Sequence, residues 1–158
     1  MKNIIIILIS LTPFLIYGQN AFFSIQEIKK NEDFSFPILR TASDNEATNK
    51  INQFLQISEL EMLKGYEDNN IFEHVSENDG TIYGGKTSLN YSIESNNAKI
   101  FSLIFQEVSC GMTCSYWINH YNFNPKNGDL IQLKDLFTEN GFKYFKNTVA
   151  KKRAIAFK

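Results

Sequence analysis

The sequence predicts an α+β domain: an antiparallel β-sheet in meander order with two helices packed on one face. Three observations carry this. Residues 87–93 alternate in side-chain character with period two, and residues 100–107 divide into a row of Phe101, Leu103, Phe105 and Glu107 and a row of Ile100, Ser102, Ile104 and Gln106, as strands do. Ala47, Ile51, Phe54, Leu55, Ser58 and Met62 recur at three- and four-residue steps, the pattern of a helix with one mostly apolar face. Residues 99–137 read as strand, cysteine-bracketed turn, strand, Asn-Gly hairpin, strand and a short Leu-Lys-Asp-Leu-Phe cap.

Each element has its own signal. Residues 22–29 suit a first strand, with Phe23, Ile25 and Ile28 on offer for burial. Asn31-Glu32-Asp33 turns the chain, and residues 34–39 return as a second strand whose Pro37 favours an edge. Ser43-Asp44-Asn45-Glu46 fits a capping box, in which Ser43 accepts from a free amide and Glu46 reaches back. Gly65 ends that helix. Residues 67–79 are polar and poorly patterned, with Ile71, Phe72 and Val75 the candidates for burial.

In the meander, Thr87, Leu89, Tyr91 and Ile93 share one face, and Phe101, Leu103, Phe105 and Glu107 share another. Asn96-Asn97 links those two strands. Residues 116–123 make the next strand, Asn127-Gly128 turns it, and residues 130–133 return. Asn140 caps a final helix with Phe142, Phe145, Val149 and Ala156 inward.

The N-terminus reads as an address label. Lys2 precedes an apolar stretch over residues 4–17, and Gly18-Gln19 offers a cleavage point. That stretch is shorter than the roughly 20 residues a membrane-spanning helix needs. A signal peptide over 1–18 leaves a single domain over 19–158, and hence an extracytoplasmic protein that spans no membrane after cleavage. The whole chain carries 16 Lys and Arg against 17 Asp and Glu, a net charge of −1. So balanced a surface gives no support to nucleic-acid binding. In an oxidising compartment, Cys110 and Cys114 around Gly-Met-Thr are expected to pair as a disulfide that pins a turn.

Candidate chemistry is thin. Gly80-Thr81-Ile82-Tyr83-Gly84-Gly85-Lys86-Thr87 satisfies the phosphate-loop pattern on paper. Such a loop needs a helix N-terminus directly behind it, whereas Lys86 and Thr87 lead into a strand, so no nucleotide is expected. His120 lies six residues beyond Cys114, but a structural zinc site wants four ligands, and no metal or other cofactor is expected. Cys-x3-Cys without a βαβ setting does not suit thiol-redox work. Glu107, Asp129 and Asp135 lie near strand ends, where a glycosidase-like carboxylate pair could form; scattered acids are more often solvated. No catalytic residue is assigned. Trp117, Tyr121 and Phe123 share a strand face and are read first as core, with Tyr116 opposite. Tyr116, Trp117, His120 and Tyr121 form the candidate ligand surface.

The run Tyr121-Asn-Phe-Asn-Pro-Lys-Asn-Gly-Asp-Leu-Ile-Gln-Leu-Lys-Asp-Leu-Phe137 resembles a segment of the RsiV-like extracytoplasmic domain of unknown function. That domain is the C-terminal part of anti-sigma-V-type factors and of some peptidoglycan deacetylases. Its members carry an aromatic-Asn-Phe-Asp strand end, then Thr-Gly, then a Leu-x-Asp-Leu-Phe cap. The strands at 87–93 and 100–107 and the helix with Ile51-Asn-Gln-Phe54 occupy matching places, so the resemblance covers most of 34–157. Many members have Gly-Ala-His where this chain has Cys110-Gly-Met-Thr-Cys114, so no role of that histidine carries over. Members usually continue past Ala154-Ile-Ala-Phe-Lys158, which implies a short variant or a truncated chain.

These readings imply an exported, non-enzymatic binding or sensor module of the cell envelope. Its partner would be an envelope protein or a peptidoglycan-type glycan. The alternative is an accessory or remnant domain of a cell-wall carbohydrate-active enzyme, of deacetylase or hydrolase type, working through Glu107 or Asp129. A third reading is a secreted domain whose partner is another chain.

Overall fold

A computed structural model describes residues 21–41, 45–76 and 85–157. The expected signal peptide, Ser43 and Asp44 of the capping box, and the glycines at 80 and 84 lie outside the described residues. Strands β1 (Ser24–Lys29) and β2 (Ser35–Arg40) form an antiparallel pair. Helix α1 (Glu46–Leu55) follows and runs into a π-helical turn over Gln56–Leu60. Strands β3 (Lys86–Asn96), β4 (Phe101–Cys110) and β5 (Cys114–Phe123) make an antiparallel meander in that order. A short 3-10 turn at Leu133–Leu136 leads to helix α2 (Glu139–Ala156). The α+β class and the antiparallel meander are therefore as the period-two patterns imply.

The two sheets are stitched at both ends of β3. At one end Phe34 bridges Leu89 in parallel, and the Leu89 amide donates to the Asp33 carbonyl at 2.9 Å. At the other, the Asn96 side chain accepts from the Phe23 amide at 2.9 Å and donates to the Phe23 carbonyl at 2.8 Å. Asn52 of α1 does the same for Leu39 of β2, at 2.9 Å in each direction. Because the Leu39 amide faces α1, the two-residue period puts Pro37's missing N–H on that same outer edge, where no strand ladder loses a bond.

The inward rows meet in one core. Phe23, Phe36, Leu39, Ile51, Leu55, Leu60, Phe72, Leu89, Phe101, Leu103, Phe105 and Phe123 are fully buried. Each such side chain contributes roughly 1.5–3 kcal/mol relative to exposure. Rings interlock across the layers: Phe23 meets Phe101 at 5.2 Å, Phe36 stacks on Phe105 at 5.5 Å, and Phe54 of α1 sets its edge against Phe123 at 5.5 Å. Ile71, Phe72 and Val75 are buried as their isolation in a polar stretch implies. The Asn127-Gly128 turn docks on α1, where Gly128 has φ of +72° and an added Cβ would stand 2.7 Å from the Ala47 carbonyl oxygen.

Five sequence expectations need correction. Asn45 is the N-cap of α1, its side chain accepting from the Ala47 amide at 2.8 Å. The helix stops at Glu61, whose φ of 57° is left-handed, and does not reach Gly65. Residues 130–133 contribute only a bridge, Leu130 to Phe123, before the chain tightens into the 3-10 turn. Thr138, not Asn140, caps α2, accepting from the Gly141 amide at 3.2 Å.

The fifth correction concerns packing. α2 forms but buries none of its residues, so the inward face expected of Phe142, Phe145, Val149 and Ala156 does not cover the sheet. The reason is local. Phe137, next to the helix start, stacks on Phe145 at 5.1 Å and meets Phe142 at 6.1 Å, so the helix closes on its own leading turn.

Candidate functional site

A polar cluster around Glu59 interrupts the apolar core, and two local irregularities build it. The first is the π-helical turn, a rare element often found at functional sites. It carries Glu59, wholly buried at 0 % exposure, into the protein. The second is a register shift between Lys86 and Ser88 of β3. An extra residue on one strand of a pair flips the side chains beyond it to the other face. Lys86 thereby joins Glu107 and Ser109 on the inner side, and Thr87 leaves the Leu89 row expected for it; its hydroxyl donates instead to the Val108 carbonyl at 3.1 Å.

Lys86 Nζ lies 2.6 Å from Glu107 Oε2 and 3.4 Å from Glu59 Oε2, and donates to the Glu59 carbonyl at 3.0 Å. Asn119 Nδ2 spans the same pair, donating to Glu59 Oε1 at 3.2 Å and to Glu107 Oε1 at 3.3 Å. The Tyr121 hydroxyl donates to Glu59 Oε1. Two carboxylates thus share one ammonium, one amide and one phenol. Burial first, and then the hydrogen bond to Glu59, push the Tyr121 phenol above the usual tyrosine range. That phenol is a proton donor locked in place.

The cluster opens on a cavity of about 340 Å³ lined by Glu61, His74, Lys86, Glu107, Ser109 and Trp117. Trp117 is 47 % exposed at its mouth, directly across the ladder from Glu107. Glu59 is sealed behind, so of these two carboxylates Glu107 is the one that lines the cavity. Such a site can recognise a flat-faced polar ligand. The indole offers an apolar plane, and Glu107, Ser109 and His74 offer acceptors and donors around it.

The four residues of the candidate ligand surface are divided between the two faces of β5. Trp117 is at the cavity mouth, and Tyr121 is half-buried with its hydroxyl in the cluster. Tyr116 and His120 are exposed and, by the two-residue period, on the opposite face of β5. Tyr116 lines a second groove with Ser88, Asn90 and Ile118, and Trp117 and Glu107 border that groove as well. Of the candidate acids, only Glu107 belongs to the site. Asp129 pairs with Lys50, and Asp135 accepts from the Gln132 amide at 2.8 Å to close the 3-10 turn.

Cys110 and Cys114 hold their sulfurs 2.12 Å apart, at disulfide distance, with Cα atoms 4.0 Å apart at the tip of the β4–β5 hairpin. Among the described residues no group of three or more His, Cys, Asp or Glu side chains is placed to hold a metal ion. No helix among them is long and apolar enough to cross a membrane.

Glu59, Asn119, Glu61, His74 and Ser109 were not legible as a site. Glu59 did leave a signal: it stands four residues after Leu55 and eight after Ile51, a charged residue in the apolar stripe. No protein-family model matches the chain, and no curated protein matches it.

Proposed function

We propose that this chain is an exported, non-enzymatic binding module of the bacterial cell envelope, and that the Trp117 cavity takes a peptidoglycan-type glycan. The observation that carries the reading is the half-exposed indole beside a polar cavity whose groups are already fixed. Lys86 and Asn119 hold Glu107 before any ligand arrives, so little ordering is left to oppose binding. Export is supported by the leader-like residues 1–18 and by a cysteine pair at disulfide distance, which is compatible with an oxidising compartment. Kinship with the RsiV-like domain belongs to the same proposal and rests on the strand order and on the run at 121–137.

The test is direct because Trp117 is the single tryptophan. Titration with peptidoglycan fragments is expected to change its fluorescence, and Trp117→Ala to abolish binding measured by calorimetry. Absence of binding to peptidoglycan, its fragments and envelope proteins in both assays sinks the reading.

Glu107 lining the cavity favours one rival, an accessory domain of a cell-wall carbohydrate-active enzyme. Turnover of peptidoglycan fragments, lost in Glu107→Gln, would replace binding by catalysis.

A further inference from the structure

We infer that the open edge of β5 pairs with β5 of a second copy of this chain, antiparallel about a two-fold axis at Ile118. β5 is the outer strand of the meander and is bonded on one side to β4 in an unbroken register. On its other side the chain lays down only the beginning of a neighbour. The Ile131 amide donates to the Asn122 carbonyl at 2.7 Å, and Leu130 bridges Phe123, before the chain turns away. This fixes which groups face outward. Since the Asn122 carbonyl points off the sheet, the two-residue period aims the backbone N–H and C=O of His120, Ile118 and Tyr116 the same way. Among the described residues none of these groups has a partner across that edge.

Monomeric proteins commonly blunt such an edge with lysines, proline or a bulge. Between Cys114 and Phe123 there is no Lys, Arg or Pro, and no bulge. The edge is also self-complementary. An antiparallel pair needs residues with outward groups opposite one another, exchanging both hydrogen bonds. Setting Ile118 opposite its own copy places Tyr116 opposite His120, and each of the three outward residues then donates and accepts once. Side chains agree with the backbone. The solvent-facing row becomes Tyr116, Ile118 and His120 against His120, Ile118 and Tyr116, with an apolar pair at its centre. On the inner row, Trp117 comes opposite Asn119, which brings the two Trp117 cavities of the pair onto the same side of one continuous sheet. A closed two-fold contact of this kind ends with two chains.

Sedimentation velocity of the purified protein over a range of concentrations, with two variants, tests this. Ile118 is 61 % and Tyr116 75 % exposed, so Ile118→Lys and Tyr116→Lys leave the fold intact by circular dichroism. Ile118→Lys sets two ammonium groups face to face and is expected to abolish the dimer; Tyr116→Lys is expected to weaken it. Ile118→Cys is expected to give a covalent dimer on mild oxidation. The paired Cα atoms would stand about 5.5 Å apart, inside the range a disulfide spans. A monomer at every concentration overturns the inference and leaves the edge to an extended segment of another protein. A dimer that survives Ile118→Lys overturns it too, because its interface lies elsewhere.

Discussion

Replacing Lys86 by methionine strips Glu59 and Glu107 of the cation that, among the described residues, touches both. The substitution keeps the length and most of the volume of the side chain, so the effect is electrostatic. Glu59 is 1 % exposed at its side chain, so water cannot stand in for the lost ammonium there, and Glu107, 11 % exposed, meets water from the cavity side alone. Removing one partner of a buried ion pair costs about 3–5 kcal/mol. Lys86 keeps 19 % of its side-chain surface, which places the expected loss near the lower end, about 3 kcal/mol. With a urea slope of about 1–3 kcal/mol/M, the midpoint falls by about 1–3 M with the slope unchanged. Glu59→Gln in the same chain keeps an acceptor for Tyr121 and Asn119 and removes the excess charge, and is expected to recover more than half of the loss. A loss below about 1 kcal/mol at neutral pH, or a double variant no more stable than Lys86→Met, refutes the argument.

Two further outcomes follow from the packing. Gly128→Ala puts a methyl group 2.7 Å from the Ala47 carbonyl oxygen at a left-handed φ, and a loss of about 2–4 kcal/mol in urea unfolding is expected from strain and overpacking together. A loss below about 1 kcal/mol would mean that the turn moves off α1 at little cost. At alkaline pH the tyrosines set the trend. Burial and then Glu27 push the Tyr91 phenol up to about 12, and Tyr121 also lies above its ordinary value. The unfolded chain therefore releases protons first, above about pH 10. The stability that these phenols contribute is fully present below that point and declines as pH rises through the folded values. Tyrosinate absorbance and unfolding measured at the same pH values check this, and a constant stability through that window would contradict it.

Much of the architecture was legible because the strands of the meander are half-buried and alternate. Leu89, Phe101, Leu103, Phe105 and Phe123 each went where a period of two sends them. The candidate site was far less legible. Its two anchors depend on departures from regular period: a π-helical turn presents Glu59, and a bulge turns Lys86 inward. Neither irregularity has a compositional mark. Lys86 stood in the rejected phosphate-loop pattern, and the structure gives it a quite different duty as the shared counter-ion of two glutamates. The size of its ring argues for placing Trp117 in the core, and its half-exposure reflects a position beyond the last buried ring on β5. At the start of α2, Phe137 packs on Phe142 and Phe145, a local contact made from outside the helix that helical spacing does not encode.

Asparagine is common in this chain and invites dismissal as a reflection of genome composition. At positions 52 and 96 that dismissal fails. Each side chain imitates a peptide group, offering one N–H and one C=O to a single backbone residue, Leu39 or Phe23. Aspartate lacks the donor, glutamine is a methylene too long, and serine is too short to reach both atoms. Sequence drift among relatives should therefore be uneven. Solvent-facing asparagines would exchange freely with lysine or aspartate, while these two stay fixed, which makes them better markers of kinship than the longer run at 121–137.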